Sequence, residues 1–86
     1  MGNQFLRKYN PQGELMWEKI ITGEGLASGI YCDDNNGIYL FGQLHTNLSF
    51  WDELTLYYEG ISINSFLVKI NTTGEVDWGI NMEDLP

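Results

Sequence analysis

Phe66-Leu67-Val68-Lys69-Ile70-Asn71-Thr72-Thr73-Gly74-Glu75-Val76-Asp77-Trp78 repeats an earlier stretch of the same chain, Phe5-Leu6-Arg7-Lys8-Tyr9-Asn10-Pro11-Gln12-Gly13-Glu14-Leu15-Met16-Trp17. Each position lies 61 residues from its counterpart, and seven of the thirteen are identical (Phe, Leu, Lys, Asn, Gly, Glu and Trp). Chance gives about one identity over such a window, so the chain carries a repeated supersecondary unit. Each copy reads as a hairpin. The arm Phe66 to Ile70 is β-rich and continuous enough to be buried on both faces. Asn71-Thr72-Thr73-Gly74 is a turn with glycine where the backbone needs positive φ, and in the earlier copy Pro11 presets φ after Asn10.

Between the two copies lies another hairpin. Gly29-Ile30-Tyr31-Cys32 and Ile38-Tyr39-Leu40-Phe41-Gly42 are apolar arms around Asp33-Asp34-Asn35-Asn36-Gly37, a strong turn signal. The segment from His45 to Asn64 is longer and more polar, with Leu54-Thr55-Leu56-Tyr57-Tyr58 as a further short strand or edge piece. Turn residues recur too closely to leave room for helices. The fold class is therefore all-β, an antiparallel meander of about six strands. A period of about 40–50 residues with four strands per unit is the mark of propeller blades, and the extended segment 45–64 accounts for the longer period here.

In this order the motifs resemble those of the bacterial SBBP-type β-propeller repeat. Gly37-Ile38-Tyr39-Leu40-Phe41-Gly42 resembles its glycine-flanked aromatic strand. Ser49-Phe50-Trp51-Asp52-Glu53-Leu54-Thr55-Leu56 is similar to its aromatic-acidic turn before a short strand, with Glu53 where the family usually has glycine or asparagine. Residues 65–78 and 4–17 resemble its strand, turn and tryptophan ending. The resemblance implies about one and a half four-stranded blades: residues 4–21 as the terminal hairpin of one and 27–82 as one full blade. It also implies an exported or surface-associated bacterial protein, although Met1-Gly2-Asn3-Gln4 does not read as a signal peptide. No catalytic residue belongs to that repeat.

Blades are apolar on both faces and bury them against neighbours. Tyr39, Phe41, Phe66, Val68, Ile70 and Trp78 offer more apolar surface than one small sheet hides. The partners expected are therefore further copies of the chain, as a homo-oligomer, or neighbouring blades of a longer protein. Folding of the strands onto themselves as a small sandwich or barrel is the remaining outcome. A chain of 86 residues buries only about 60% of the surface its unfolded form exposes, which sharpens the need for partners.

Charge narrows the function classes. Four Lys+Arg stand against twelve Asp+Glu, for a formal charge of −8. With no basic cluster, nucleic acid is not an expected partner. No apolar run approaches the ~20 residues that cross a bilayer as a helix. Cys32 is the single cysteine, so no intrachain disulfide forms, and its apolar surroundings suggest a buried structural thiol.

Few residues invite chemistry. The acid pairs Asp33-Asp34, Asp52-Glu53 and Glu83-Asp84 lie in turns or at the terminus, where acids serve solubility. Asp33 to Gly37 does not meet the EF-hand pattern, which anchored on Gly37 needs acids or amides at 32, 34 and 36 plus a distal glutamate, because Cys32 occupies the first of these places. The loop Gly23-Glu24-Gly25-Leu26-Ala27-Ser28-Gly29 is a connection and not a dinucleotide loop, its third glycine being one residue late. His45 is the single histidine, which excludes a multi-histidine metal site within one chain. No catalytic residue, metal or cofactor is expected. The segment 45–64 carries the best ligand-binding candidates, His45, Trp51, Tyr57 and Tyr58, with Glu59 beside them, since aromatics next to acids can stack on a sugar or anchor a peptide. The function expected is a non-enzymatic scaffold or protein-binding module. The alternative is a small oligomeric lectin that binds carbohydrate between blades, with Trp17 and Trp78 as its natural candidates.

Overall fold

The computed structural model describes residues 3–58 and 64–81. Glu59 and the Glu83-Asp84 pair lie outside them. Eight strands follow one another: β1 (Gln4–Tyr9), β2 (Leu15–Thr22), β3 (Gly25–Cys32), β4 (Ile38–Leu44), β5 (Leu48–Phe50), β6 (Leu54–Leu56), β7 (Asn64–Ile70) and β8 (Val76–Asn81). They form two four-stranded sheets, in the orders β1-β2-β5-β6 and β3-β4-β7-β8, and every pairing is antiparallel. The protein is all-β.

The repeat is visible as duplicated local geometry. The Asn10 amide donates to the Glu14 carbonyl at 2.9 Å, and the Asn71 amide to the Glu75 carbonyl at 2.8 Å. In each turn the asparagine Oδ1 then accepts two backbone N–H groups, from Gln12 and Glu14 or from Thr73 and Glu75. Asparagine suits this place because its short side chain bonds the backbone a few residues on. Gly13 and Gly74 close the turns at φ 86° and 93°, a region costly for any residue with a Cβ. Even the irregularity is repeated: the register shifts between Lys8 and Tyr9, and again between Lys69 and Ile70.

The β3–β4 turn is also stabilised by a side chain. Asp33 Oδ1 accepts the Gly37 and Asn35 amides at 2.7 and 2.9 Å. The left-handed residue here is Asn36, at φ 66°, in keeping with the tolerance of asparagine for that conformation.

Residues 45–64 depart from the expected edge piece of their own sheet. After β4 the chain crosses to the other sheet, where β5 pairs with β2 through Ile21–Phe50 and Thr22–Ser49, and β6 follows β5. The sheet expected to hold two terminal strands thus reaches four, and β5 covers a β2 edge that would otherwise offer unpaired amides. The β5–β6 turn places Trp51 and Asp52 at φ 39° and 68°. Glu53 closes that turn, its amide donating to the Phe50 carbonyl at 3.0 Å, and its Oε1 accepts the Val76 amide at 2.6 Å, joining this hairpin to the start of β8.

One core serves both sheets. Leu6, Ile21, Leu48, Phe50 and Leu56 of the first meet Ile38, Leu40, Leu44, Phe66, Val68 and Ile70 of the second. The Phe50 and Phe66 rings stand edge to face, 5.6 Å between centroids. Strand β7 shows the period-2 rule directly: Phe66, Val68 and Ile70 are fully buried, while Leu67 and Lys69 between them are half-exposed. So β7 is sealed on one face and not on two. Cys32, expected buried, is exposed. It ends β3, an edge strand with a neighbour on one side only.

Candidate functional site

The two copies of the repeat turn corresponding faces in the same sense, so that one face is buried in the first copy and open in the second. In β1 and β2, Leu6, Lys8 and Trp17 look toward the second sheet. Leu6 is 8% exposed there, and Trp17 packs against the core. Their counterparts Leu67, Lys69 and Trp78 lie on the far side of the second sheet, where Trp78 is 43% exposed. Conversely, Phe66 is 0% exposed and its counterpart Phe5 58%. An alternating strand has two faces, and a two-layer stack can cover only one face of each sheet.

The open face of the second sheet is built by register. Tyr31, Tyr39, Lys69 and Trp78 are cross-strand partners in one row across β3, β4, β7 and β8. Phe41, Leu67 and Ile80 form the next row, with Phe41 opposite Gly29 and its ring lying over that glycine. The Tyr31 and Tyr39 rings are 6.1 Å apart and those of Tyr39 and Trp78 6.3 Å, within the range of favourable aromatic pairs. Lys69 Nζ lies 5.8 Å from the centre of the Tyr39 ring and donates to Asp77 Oδ2 at 2.8 Å. That bond and the charge of Asp77 hold the Lys69 ammonium above its ordinary pKa.

The middle of the row, Tyr39 and Lys69, borders a cavity of about 350 Å³ lined also by Asp33, Asn35, Gly37, Asn71 and Thr72. The Gly37 amide chiefly, with the Asn35 amide, the Tyr39 hydroxyl and nearby Lys69, holds the Asp33 carboxyl below the usual carboxylate range. Asp33 is thus committed to its turn as an acceptor and is a poor proton donor. Among the described residues no group of three or more His, Cys, Asp or Glu side chains is placed to hold a metal ion.

The four ligand candidates of segment 45–64 fall at the two ends of the β5–β6 hairpin. His45 is exposed before β5, its amide donating to the Glu24 carbonyl at 3.0 Å. Tyr57 and Tyr58 follow β6 at that same end, where the Tyr58 amide donates to Asn47 Oδ1 at 2.8 Å and the Tyr57 carbonyl accepts from Asn81 Nδ2 at 2.7 Å. Trp51 sits at the opposite end, ring edge to Phe50 at 6.0 Å. Its indole N–H is buried and meets no acceptor among the described residues. The hairpin holds Trp51 apart from the other three.

The tryptophans of the repeat also differ. Trp17 Nε1 donates to the Thr72 carbonyl at 3.1 Å, and Lys8 Nζ to the same oxygen at 3.3 Å. A Cβ built on Gly74 would lie 3.1 Å from the Trp17 ring, so the 71–75 turn is seated on that tryptophan. Trp78 has no such turn upon it among the described residues. Tyr31 and Ile80 also enlarge the open face, which apolar content per strand does not show because it assigns no faces. The alternation of Ile38 to Phe41 and the pairing of Tyr31 with Tyr39 were the signal that could have found them. Comparison with protein-family models, curated proteins and solved structures gives no match to this chain. The class that fold and site define is a two-sheet antiparallel β module whose second sheet keeps an aromatic face open.

Proposed function

We propose that the chain is a non-enzymatic scaffold or protein-binding module of β-propeller type that assembles with further copies of itself. The observation that carries this reading is the open face of the second sheet, where Tyr31, Phe41, Trp78 and Ile80 are each exposed on one contiguous surface. Aromatic side chains bring about 150–250 Å² each when fully buried, so three at about half exposure, with Ile80 beside them, supply roughly half of the ~800 Å² per partner of a stable complex. Scattered apolar residues need no explanation, but a patch of this kind marks a contact surface. The committed state of Asp33 and the separation of Trp51 from His45 favour binding over catalysis. Light scattering of the whole chain across a hundredfold range of concentration tests the reading. Mass rising above the monomer is expected, and a monomer throughout overturns it.

A second reading, carbohydrate binding between blades, draws on the open indole of Trp78 beside Tyr39. Trp17 weighs against its two-site form, since the 71–75 turn already occupies that indole. Quenching or enhancement of tryptophan fluorescence by a sugar identified on a glycan array, lost in Trp78→Ala, would establish it.

A further inference from the structure

We infer that a second copy of the chain docks head to tail, its 10–14 turn seated on Trp78 and Lys69 as the 71–75 turn is seated on Trp17 and Lys8. The inference rests on the self-assembly reading above and specifies its geometry. The internal contact supplies the template. There the Thr72 carbonyl accepts from Trp17 Nε1 and Lys8 Nζ, and Gly74 lies against the indole and the Lys19 stem.

Both halves of that contact exist a second time without a turn between them, although Lys69 is held by Asp77 where Lys8 is held by Thr72, so docking must share or displace that bond. The 10–14 turn repeats the hydrogen bonds of the 71–75 turn, and Gly13 repeats its left-handed glycine. Yet nothing lies within 4 Å of a Cβ built on Gly13. Lys69 and Trp78 are cross-strand partners, as Lys8 and Trp17 are. Docking by the 61-residue correspondence puts the Pro11 carbonyl where Thr72 sits and brings the exposed Phe5 and Tyr9 onto the open face. Within one chain the 10–14 turn and Trp78 belong to outward faces of different sheets, so only another copy can join them.

The free face differs from the seated one at its centre, where Arg7 and Glu18 stand for Val68 and Gly79. These two are already paired with each other. Docking therefore covers an ion pair and leaves no lone charge, though at a desolvation cost that Val68 and Gly79 do not carry. A contact of this kind is heterologous, so each added copy leaves one free turn and one free tryptophan face.

The test uses two variants of the whole chain, Phe5→Glu on the turn-bearing face and Trp78→Ser on the receiving face. Both residues are exposed, so each variant should keep the wild-type circular dichroism. Gly13→Asn replaces Phe5→Glu if that variant does not fold. By native mass spectrometry and light scattering, wild type should grow beyond a dimer as concentration rises. Each variant alone should be monomeric at concentrations where wild type assembles, and an equimolar mixture should give one heterodimer and nothing larger. If the Phe5→Glu or Gly13→Asn variant assembles alone as wild type does, or the mixture stays monomeric while wild type assembles, the head-to-tail geometry is overturned and self-assembly by another face stands. A wild-type monomer at every concentration overturns both.

Discussion

Replacing Phe50 and Phe66 by leucine, singly and together, measures whether the two sheets behave as one core. Both rings are fully buried, one from each sheet, in an edge-to-face pair 5.6 Å apart. Each single change removes buried ring atoms and leaves a partial cavity, a loss of about 1–3 kcal/mol. At this size each kcal/mol lowers Tm by about 4–8 °C. The decisive quantity is the coupling. An edge-to-face pair contributes about 0.5–1.5 kcal/mol beyond its area, so the double variant should lose less than the sum of the singles by that amount. Urea unfolding followed by circular dichroism and tryptophan fluorescence gives the three free energies. Protein concentration must be held constant, because assembly adds its own concentration-dependent stability. Coupling below about 0.3 kcal/mol would mean the rings act as independent sites. Two separate transitions by the two probes would be a stronger refutation, since sheets sharing Phe50 and Phe66 must unfold together.

Other outcomes can be stated more briefly. Gly74→Ala should destabilise more than Gly13→Ala: both meet the left-handed backbone cost of about 1–2 kcal/mol, but at Gly74 the new methyl also lies 2.9 Å from Lys19 Cε and 3.1 Å from the Trp17 ring. Equal losses in thermal melts would contradict the seating of that turn. Asp33 has a depressed folded-state pKa, so its contribution is complete above the unfolded carboxylate value near 3.9 and is lost as pH falls through the folded value. Asp33→Asn should therefore flatten the acid limb of the stability profile below about pH 4, and an unchanged limb counts against the Gly37 and Asn35 bonds. Glu53→Ala frees the Val76 amide and should speed hydrogen exchange at the start of β8, whereas Glu53→Gln, which keeps an acceptor, should restore much of the protection. Cys32 should react with a thiol reagent in the folded state at a rate close to that in denaturant. Strong protection would return it to the interior that its neighbours in sequence suggested.

Much of the chain was legible because its signals are local. The Asn-x-x-Gly turns at 10–13 and 71–74 carry their own hydrogen bonds and left-handed glycine. The β-rich run Phe66 to Ile70, bounded by the 71–74 turn, announces a strand whatever lies around it, though not which of its faces is sealed. Less was legible at the candidate site. Trp51, Tyr57 and Tyr58 share a segment with His45, but the β5–β6 reversal, two left-handed residues at Trp51 and Asp52, sends them to opposite ends of a hairpin. Cys32 reads as apolar-flanked in sequence and is exposed because β3 is an edge, and edge position is not a local property.

By itself, then, the sequence determined an all-β chain, the position and type of its hairpin turns, and the duplication of one hairpin 61 residues apart. Turn chemistry and period-2 patterning act over a handful of residues and need no knowledge of the rest of the chain. The tertiary structure alone decided that β5 and β6 leave their neighbours to cover β2, and which copy of the Leu-Lys-Trp face is hidden. Leu6 is buried and Trp17 packs against the core, whereas Leu67 is only half-buried and Trp78 exposed, although each pair carries the same side chains. Burial belongs to a face and the layer opposite it, and here two sheets supply four faces for one shared core.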